Sequence, residues 1–474
     1  VSKFCKENVE DIMGLTPMQM GMLFHYLSES GEGVNIDQHC YRLKGVIKIA
    51  FLKRAWEYVA KNNEMLRTVF CWIGLKLPVQ IILKEYQIPF REYDYSTLSM
   101  NEKQKCLDDL LHSDQSERIN IDQNPYRIIF CKVSDDEYYM IVSAHHIIYD
   151  GWSNGIIFKE LLYAYEEYLN GREPKISNKT KYKELVRWYQ NQDKQKQKVF
   201  WENYLKNYKP TCYLGREESY KSRGMPSKYM YHLDRSMEET MKDFIQQEQT
   251  TLAALIYAAW GIALQKYSGY EDTIFGVTLS GRSTDIPLVD NIVGLFVNTL
   301  PLRLTIQKNR KIRDILREVK QTIIAFEEYQ GTSLVDLKQY SMLGIEGQLF
   351  DSIVVVQNYP LEVTKIKDTQ KMSIAFASSS YSTNFDIALD IRTMDGIDFV
   401  FSYNNEKYDL LGIKKICECV ITIINAFILD KGHACKVEDI ELTNFNESED
   451  VLSEMKDTIN YLEGLEEVDY EEIF

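Results

Sequence analysis

The sequence predicts an α/β protein of two lobes, each carrying its own sheet. Helical and extended patterns alternate along most of the 474 residues, as expected of layered α/β domains. The length suits two or three domains of ordinary size. A polar, loop-rich stretch, Gly215 to Lys228, interrupts the chain near its middle. Apolar residues make up 45% of the chain and aromatic residues 12%, enough for sizeable cores and unlike a disordered or fibrous composition.

The first helix signal is Thr16-Pro17-Met18-Gln19, with a hydroxyl cap, Pro at the first helical position and Gln at the third, a capping box. Arg127 to Val133 and Glu137 to Ser143 are aromatic and β-branched runs split by Ser134-Asp135-Asp136, a hairpin signal. From Ser153, suited as an N-cap, a helix is expected to Leu169, with Ile157, Leu161, Ala164 and Tyr168 on one face and Asn170-Gly171 as its stop. Thr251 to Leu264 reads as a buried helix, and Lys311 to Tyr329 carries a stripe of Ile312, Ile315, Leu316, Val319, Ile323 and Phe326. Extended runs at 273–278, 300–306, 352–357, 385–391 and 399–403 predict a second sheet. The last stretch, Asn446 to Phe474, holds eleven acids and one Lys456. Val451, Met455, Ile459 and Leu462 there allow one amphipathic helix, read either as a linker or docking segment or as a helix packed on the body.

Composition removes several function classes. Seventy acidic against 55 basic side chains give a net charge of −15, the wrong sign for a nucleic-acid partner. The longest apolar stretch falls short of the ~18–20 residues a membrane span needs. Glu7, Glu10 and Asp11 near the start do not resemble a signal peptide, and a chain beginning at Val1 reads as part of something longer. Nine cysteines scattered from Cys5 to Cys435 without a CxxC pair point to a reducing cytoplasm. Cys417 and Cys419 read as core fillers. There is no GxxxxGK[ST], HExxH or GxGxxG.

Chemistry concentrates in Ser143-Ala-His145-His146-Ile-Ile-Tyr149-Asp150-Gly151-Trp152-Ser153, which holds two of the seven histidines. Neighbouring strand residues point to opposite faces, so only one imidazole can face a given cavity, and the pair is a poor shared metal site. No metal is expected. Asp150, if buried, needs a cation partner. A structural histidine pair at a strand end would leave the same trace. Gly151-Trp-Ser153-Asn-Gly155 matches the GxSxG nucleophile elbow, but that motif joins strand directly to helix. Here the predicted strand ends about six residues earlier, and neither His232 nor His433 has an obvious acidic partner.

The segment His145-His146-x-x-x-Asp150-Gly151 resembles the HHxxxDG core of nonribosomal peptide synthetase condensation domains. Five further matches follow that family's order: Leu15 to Phe24, Glu64 to Phe70, Tyr182 to Trp188 (with Glu184 for the usual Asp), Ile292 to Thr299, and Ser352 to Pro360. Together they cover roughly residues 8 to 445. Asn62-Asn63 replaces the usual Arg-His before Glu64, and Met20 the usual Glu. The Phe296-Val-Asn298-Thr299 form differs from epimerization domains, which share HHxxxDG. The opening helix and Asn358-Tyr359-Pro360 resemble the subtype that joins an L-configured donor to an L-configured acceptor.

The resemblance implies two chloramphenicol acetyltransferase-like lobes in a V with a central tunnel: residues 1–176, residues 177–445, and an acidic tail or linker, 446–474. It implies peptide-bond formation between a donor aminoacyl or peptidyl thioester and an acceptor aminoacyl thioester. Both arrive on phosphopantetheine arms of partner carrier proteins beside a neighbouring adenylation domain, and the domain itself binds no cofactor. His146 is the implied base or positioner, and the backbone at Gly151 the oxyanion donor. His145, Asp150, Arg282 and Arg67 are implied structural members of the site, with Arg282 paired to Asp150. Asn298, Trp152 and Ser153 are candidates for the tunnel wall. Two other readings share the fold: a catalytically silent recruitment domain and an epimerization domain. The retained His146, Asp150 and Gly151 favour an enzyme.

Overall fold

The computed structural model describes residues 6–28, 35–208, 214, 226–341, 349–357, 372–380, 385–393 and 396–442. The acidic tail, most of the Gly215–Lys228 junction and Asn358-Tyr359-Pro360 lie outside the described residues. The first half runs β1 (Val9–Gly14), α1 (Pro17–Ser28), β2 (Ile36–Gly45), α2 (Ile49–Asn62), β3 (Thr68–Cys71), β4 (Val79–Leu83), β5 (Phe90–Asp94), α3 (Met100–Ser116), β6 (Tyr126–Ser134), β7 (Glu137–His145), α4 (Gly151–Leu169), α5 (Lys183–Gln190) and α6 (Lys194–Tyr204). The second half runs β8 (Pro226–His232), α7 (Arg235–Gln247), α8 (Leu252–Ser268), β9 (Asp272–Leu279), β10 (Asn298–Thr305), α9 (Ile312–Tyr329), α10 (Leu334–Tyr340), β11 (Ser352–Gln357), β12 (Met372–Ser380), β13 (Ile387–Arg392), β14 (Asp398–Asn404) and α11 (Leu410–Leu429).

Local chemistry explains the element ends. The capping box of α1 forms as the sequence predicts: the Gln19 N–H donates to Thr16 Oγ1 (3.3 Å) and the Thr16 N–H to Gln19 Oε1 (2.9 Å). Helix α4 stops at Asn170, and Gly171 takes φ +69°, the left-handed conformation that glycine adopts without strain. Helix α8 buries every residue from Ala254 to Gln265, as a helix apolar all round must.

Three sheets form rather than the expected two. The first lobe's sheet has the order β12-β2-β7-β6-β5, and the second lobe's has β10-β9-β11-β13-β14-β8. A small third sheet, β1-β4-β3, escapes the sequence reading because strands of four to six residues carry little periodicity. The five runs predicted for the second sheet are all found in it, joined by β8. Strand β12, late in the chain, crosses to pair with β2. The first core likewise takes in Tyr182, Leu185, Val289, Ile292 and Phe296 beside Trp56, Phe130 and Phe158. The second core gathers Trp260, Phe275, Val354, Leu389 and Phe401 between its sheet and α8, α9 and α11. No described helix is long and apolar enough to cross a membrane.

Candidate active site

Strand β7 ends at His145 and α4 begins at Gly151, so residues 146–150 form a loop over the end of the first sheet. Its backbone is tied from three directions. The His145 N–H donates to Pro125 O, the His146 N–H to Asn35 O (both 2.8 Å), and the Asp150 N–H to Gly294 O (3.2 Å). Gln19 adds a fourth tie, donating from Nε2 to Ile147 O (3.1 Å), which places the capping box of α1 beneath the loop.

The two histidines differ sharply. His145 is buried, its ring edge-to-face with Tyr26. The Ile147 N–H donates to its Nδ1 (3.1 Å), which leaves the ring hydrogen on Nε2. Burial, helped by His146 and Arg118, pushes its pKa down to about 3, so it stays neutral. His146 is partly exposed, and its Nδ1 lies 2.7 Å from Tyr149 O. A carbonyl only accepts, so Nδ1 carries the hydrogen and Nε2 the lone pair. Burial pulls the His146 pKa down. The charge of Asp37, whose Oδ2 is 3.6 Å from Nδ1, together with the Tyr149 bond and Asp150, reverses that and raises it.

Asp150 caps α4 and is fully buried. Its Oδ1 accepts from the Ser153 N–H (3.1 Å), Ser153 Oγ (2.9 Å) and Arg282 Nη2 (3.3 Å), and its Oδ2 from the Phe296 N–H (2.9 Å). Arg282 reaches Asp150, the pairing the resemblance implies, through one nitrogen, Nη2. Its Nη1 is held by the carbonyls of Val289 (2.7 Å) and Ile292 (3.0 Å), and its guanidinium lies over the Phe296 ring. Gly281, at φ +68°, lets the chain pass there; a Cβ would collide with Phe296 O. Gly151 opens α4. Its N–H and that of Trp152 belong to the first turn, which has no intrahelical acceptors and forms the positive end of the helix dipole.

Other expected residues sit elsewhere or act differently. The cap of α4 is Asp150 and not Ser153, because the chain leaves β7 early enough for the carboxylate to reach the third helical N–H. The Ser153 hydroxyl is buried among Asp150, Gly294 and Arg282. No imidazole touches it, which closes the nucleophile-elbow reading. Trp152 donates from Nε1 to Asp290 O (3.1 Å), bridging to the second half of the chain. Asn298 is buried at the start of β10, with Nδ2 on Gln330 O and Thr332 O, so its amide is used up inside the second lobe. Arg67 bonds Glu10, Ala60 O and Leu83 O, holding β1, α2 and β4 together without any bond to the loop.

Two residues were missed from sequence, Asp37 and His39, both on β2. They share a face because strand side chains alternate. Asn154 Nδ2 donates to His39 Nε2 (3.2 Å), and His39 feels the charges of both Asp37 and His146. Cys417 and Cys419 are buried in α11, their thiols both pushed up to about 12 by burial. Among the described residues no group of three or more His, Cys, Asp or Glu is placed to hold a metal ion.

The profile described as "Condensation domain" matches residues 9–452. Tyrocidine synthase 2 of Brevibacillus parabrevis is 30% identical over 422 residues, 88% of this chain and 12% of that protein. Gramicidin S synthase 2 of Brevibacillus brevis is 28% identical over 466 residues, 97% of this chain and 10% of that protein. The chain therefore spans a small share of these relatives. Among solved structures, the starter condensation domain of rhizomide synthetase, crystallised as a mutant with C8-CoA and Leu-SNAC, superposes at a TM-score of 0.76 with 17% identity, covering 91% of this chain and 98% of that one. The first condensation domain of the calcium-dependent antibiotic synthetase gives 0.75 and 17%, covering 92% of this chain and all of that one. At this identity the likeness is one of fold: two acetyltransferase-like lobes.

Proposed function

The chain belongs to the condensation-domain family of nonribosomal peptide synthetases, and from that premise we propose that it joins two carrier-bound thioesters through a peptide bond. The α-amine of an acceptor aminoacyl thioester attacks the carbonyl carbon of a donor aminoacyl or peptidyl thioester. The C–N bond forms as the carbonyl π pair moves onto oxygen, and His146 Nε2 takes the proton the amine loses. The first-turn N–H groups of Gly151 and Trp152 face the developing oxyanion. Collapse of the intermediate breaks the C–S bond, and the thiolate leaves with the proton His146 returns. The observation that carries this reading is the tautomer of His146, fixed by the Tyr149 carbonyl so that Nε2 holds a lone pair.

Little acid–base power is asked of the site. An α-amine has a pKa of ~7.7–8, so a useful fraction is neutral near pH 7, and a thioester is an activated donor. Holding both reactants in line supplies much of the acceleration. The substrates ride on phosphopantetheine arms of donor and acceptor carrier proteins, charged by an adenylation domain. The domain is the subtype taking L-configured donor and acceptor, and the free cysteines among the described residues suit a reducing cytoplasm. The lobes divide near residue 176, with 446–474 as linker. The test supplies two loaded carriers and follows transfer of the donor to the acceptor carrier by mass. Dipeptidyl acceptor is expected with an L-donor. No transfer across a panel of acceptors would favour a silent recruitment domain.

A further inference from the structure

Two buried glutamines connect the small third sheet to the catalytic loop. Gln19 of α1 and Gln80 of β4 are both wholly buried. A polar side chain in such a place is costly unless its groups are bonded, and here all four amide hydrogens are used. Gln19 Oε1 accepts from the Thr16 N–H (2.9 Å) and from Gln80 Nε2 (3.0 Å). Gln19 Nε2 donates to Gln80 Oε1 (3.2 Å) and to Ile147 O (3.1 Å). Gln80 Nε2 gives its second hydrogen to Gly14 O (2.8 Å), at the end of β1. The Thr16 N–H only donates, which fixes the Gln19 amide with its oxygen toward the start of α1 and its nitrogen toward the loop. Gly14 O only accepts, and fixes the Gln80 amide in the same way.

The bond to Ile147 falls on the residue that follows His146. The Ile147 N–H is held by His145 Nδ1 (3.1 Å) and the Ile147 carbonyl by Gln19. Both peptide planes at Ile147 are therefore pinned, and with them the path from His146 to Tyr149. At the end of that path Tyr149 O meets His146 Nδ1 at 2.7 Å. The ties to Pro125, Asn35 and Gly294 are made by backbone groups; the tie from Gln19 is made by a side chain, and so can be altered by substitution. Gln80 is what holds that side chain, since two of the four bonds at the Gln19 amide are with Gln80. Gln80 itself sits on the central strand of the third sheet, paired with Met13 of β1 and Phe70 of β3, and makes no bond to the loop.

We propose that Gln80 is a positioning residue for the condensation step: through the Gln19 amide it sets the direction of the Ile147 carbonyl, and with it the turn that brings Tyr149 O to His146. The proposal rests on the condensation reading, and its chemistry is one of aim. A reacting group misplaced by about 1 Å can lose about 10²-fold in rate. A loss of aim falls on kcat, whereas a loss of uniform binding falls on KM.

The experiment uses the full chain and two loaded carriers, with Gln80→Met, which keeps side-chain length and removes the amide. At a temperature where a melting curve shows the variant folded, kcat should fall about 10-fold or more, with KM for either carrier within about threefold. Gln80→Glu keeps the shape but offers at most one donor for two acceptors, Gln19 Oε1 and Gly14 O. It should fall likewise, and it decides the matter should Gln80→Met not fold. In parallel, the titration of His146 is followed by NMR of ring-labelled histidine. The charges of Asp37 and Asp150 and the neutral rings of His145 and His39 around it are untouched by either substitution, so a loosened Tyr149 bond should lower its pKa. A folded variant with wild-type kcat, a loss confined to KM, or an unmoved His146 titration overturns the proposal. A wild-type chain that transfers nothing overturns the condensation reading instead, and the His146 titration still decides whether Gln80 positions the loop.

Discussion

Replacing Arg282 by Met would test what holds the catalytic loop in place. The change keeps side-chain length and removes the one cation on a fully buried carboxylate. Breaking a buried pair by deleting one partner costs about 3–5 kcal/mol. Asp150 keeps three neutral donors, Ser153 N–H, Ser153 Oγ and Phe296 N–H, which argues for the lower end. The carbonyls of Val289 and Ile292 lose their shared donor, which argues back up, so about 4 kcal/mol is expected. For a unit of this size 1 kcal/mol shifts Tm by about 1 °C, and by about 2 °C if the lobes unfold separately. A fall of roughly 4–8 °C should appear by calorimetry, together with a loss of peptide formation, because the same bonds hold the Gly151 amide. Asp150→Asn should behave alike, since its Nδ2 only donates, so that either the Phe296 N–H or the Arg282 and Ser153 donors lose their acceptor. Either variant with Tm within 1 °C of wild type, or with undiminished turnover, refutes the reasoning.

His146→Ala should lower condensation by about 10²–10⁴ at an unchanged Tm, measured by single-turnover transfer between carriers; a rate within threefold of wild type would remove its role. Asp37→Asn takes away the charge that raises the His146 pKa, so the acid limb of the pH–rate profile should move to lower pH, and an unmoved or upward-moving limb would contradict the assignment. The sign carries into stability: a raised His pKa stabilises fully below the unfolded value near 6.5, and that contribution is lost as pH rises through the folded one. Asp37→Asn should therefore lower Tm at pH 5.5 more than at pH 8.5. Gly281→Ala forces a Cβ against Phe296 O and should cost both Tm and activity, as Arg282→Met does, with a melting curve as the check.

The sequence carried those parts of the site whose cause is local. The α1 capping box lies within four residues, and the hairpin before His145 is set by Ser134-Asp135-Asp136. The Asp150–Arg282 contact was legible only through the cost of burying a carboxylate alone. Its geometry was not, because Phe296, Val289 and Ile292 take bonds that a two-point fork would have used. Asp37 and His39 were invisible for a different reason. They reach His146 by pairing of β2 with β7, Ile36 opposite His145, across more than a hundred residues of chain. The alternation Asp37, His39, Tyr41 in a strand-like run was the available signal, an unusual polar content on one face. The crossing of β12 onto β2 left no local mark.

The loop is restrained on every side that does not face the reaction. Gln19 holds Ile147, Pro125 holds His145, Asn35 holds His146, and Gly294 with Phe296 holds Asp150 from the second half of the chain. His145, its pKa near 3, is a spacer that cannot take a proton at neutral pH. Among the described residues, what remains unbonded is the Nε2 lone pair of His146 and the Gly151 and Trp152 N–H groups of the first turn of α4. A site built this way acts by fixed geometry more than by a strong base, which fits substrates that are already activated. The raised pKa of His146 has a consequence in that setting. At pH 7 a share of both His146 and the acceptor amine is protonated, and each must be neutral to react. Turnover should therefore climb as pH rises above neutrality, where the acceptor amine loses its proton, and in Asp37→Asn the part of the climb set by His146 should move to lower pH, since the Asp37 charge is a cause of its raised pKa.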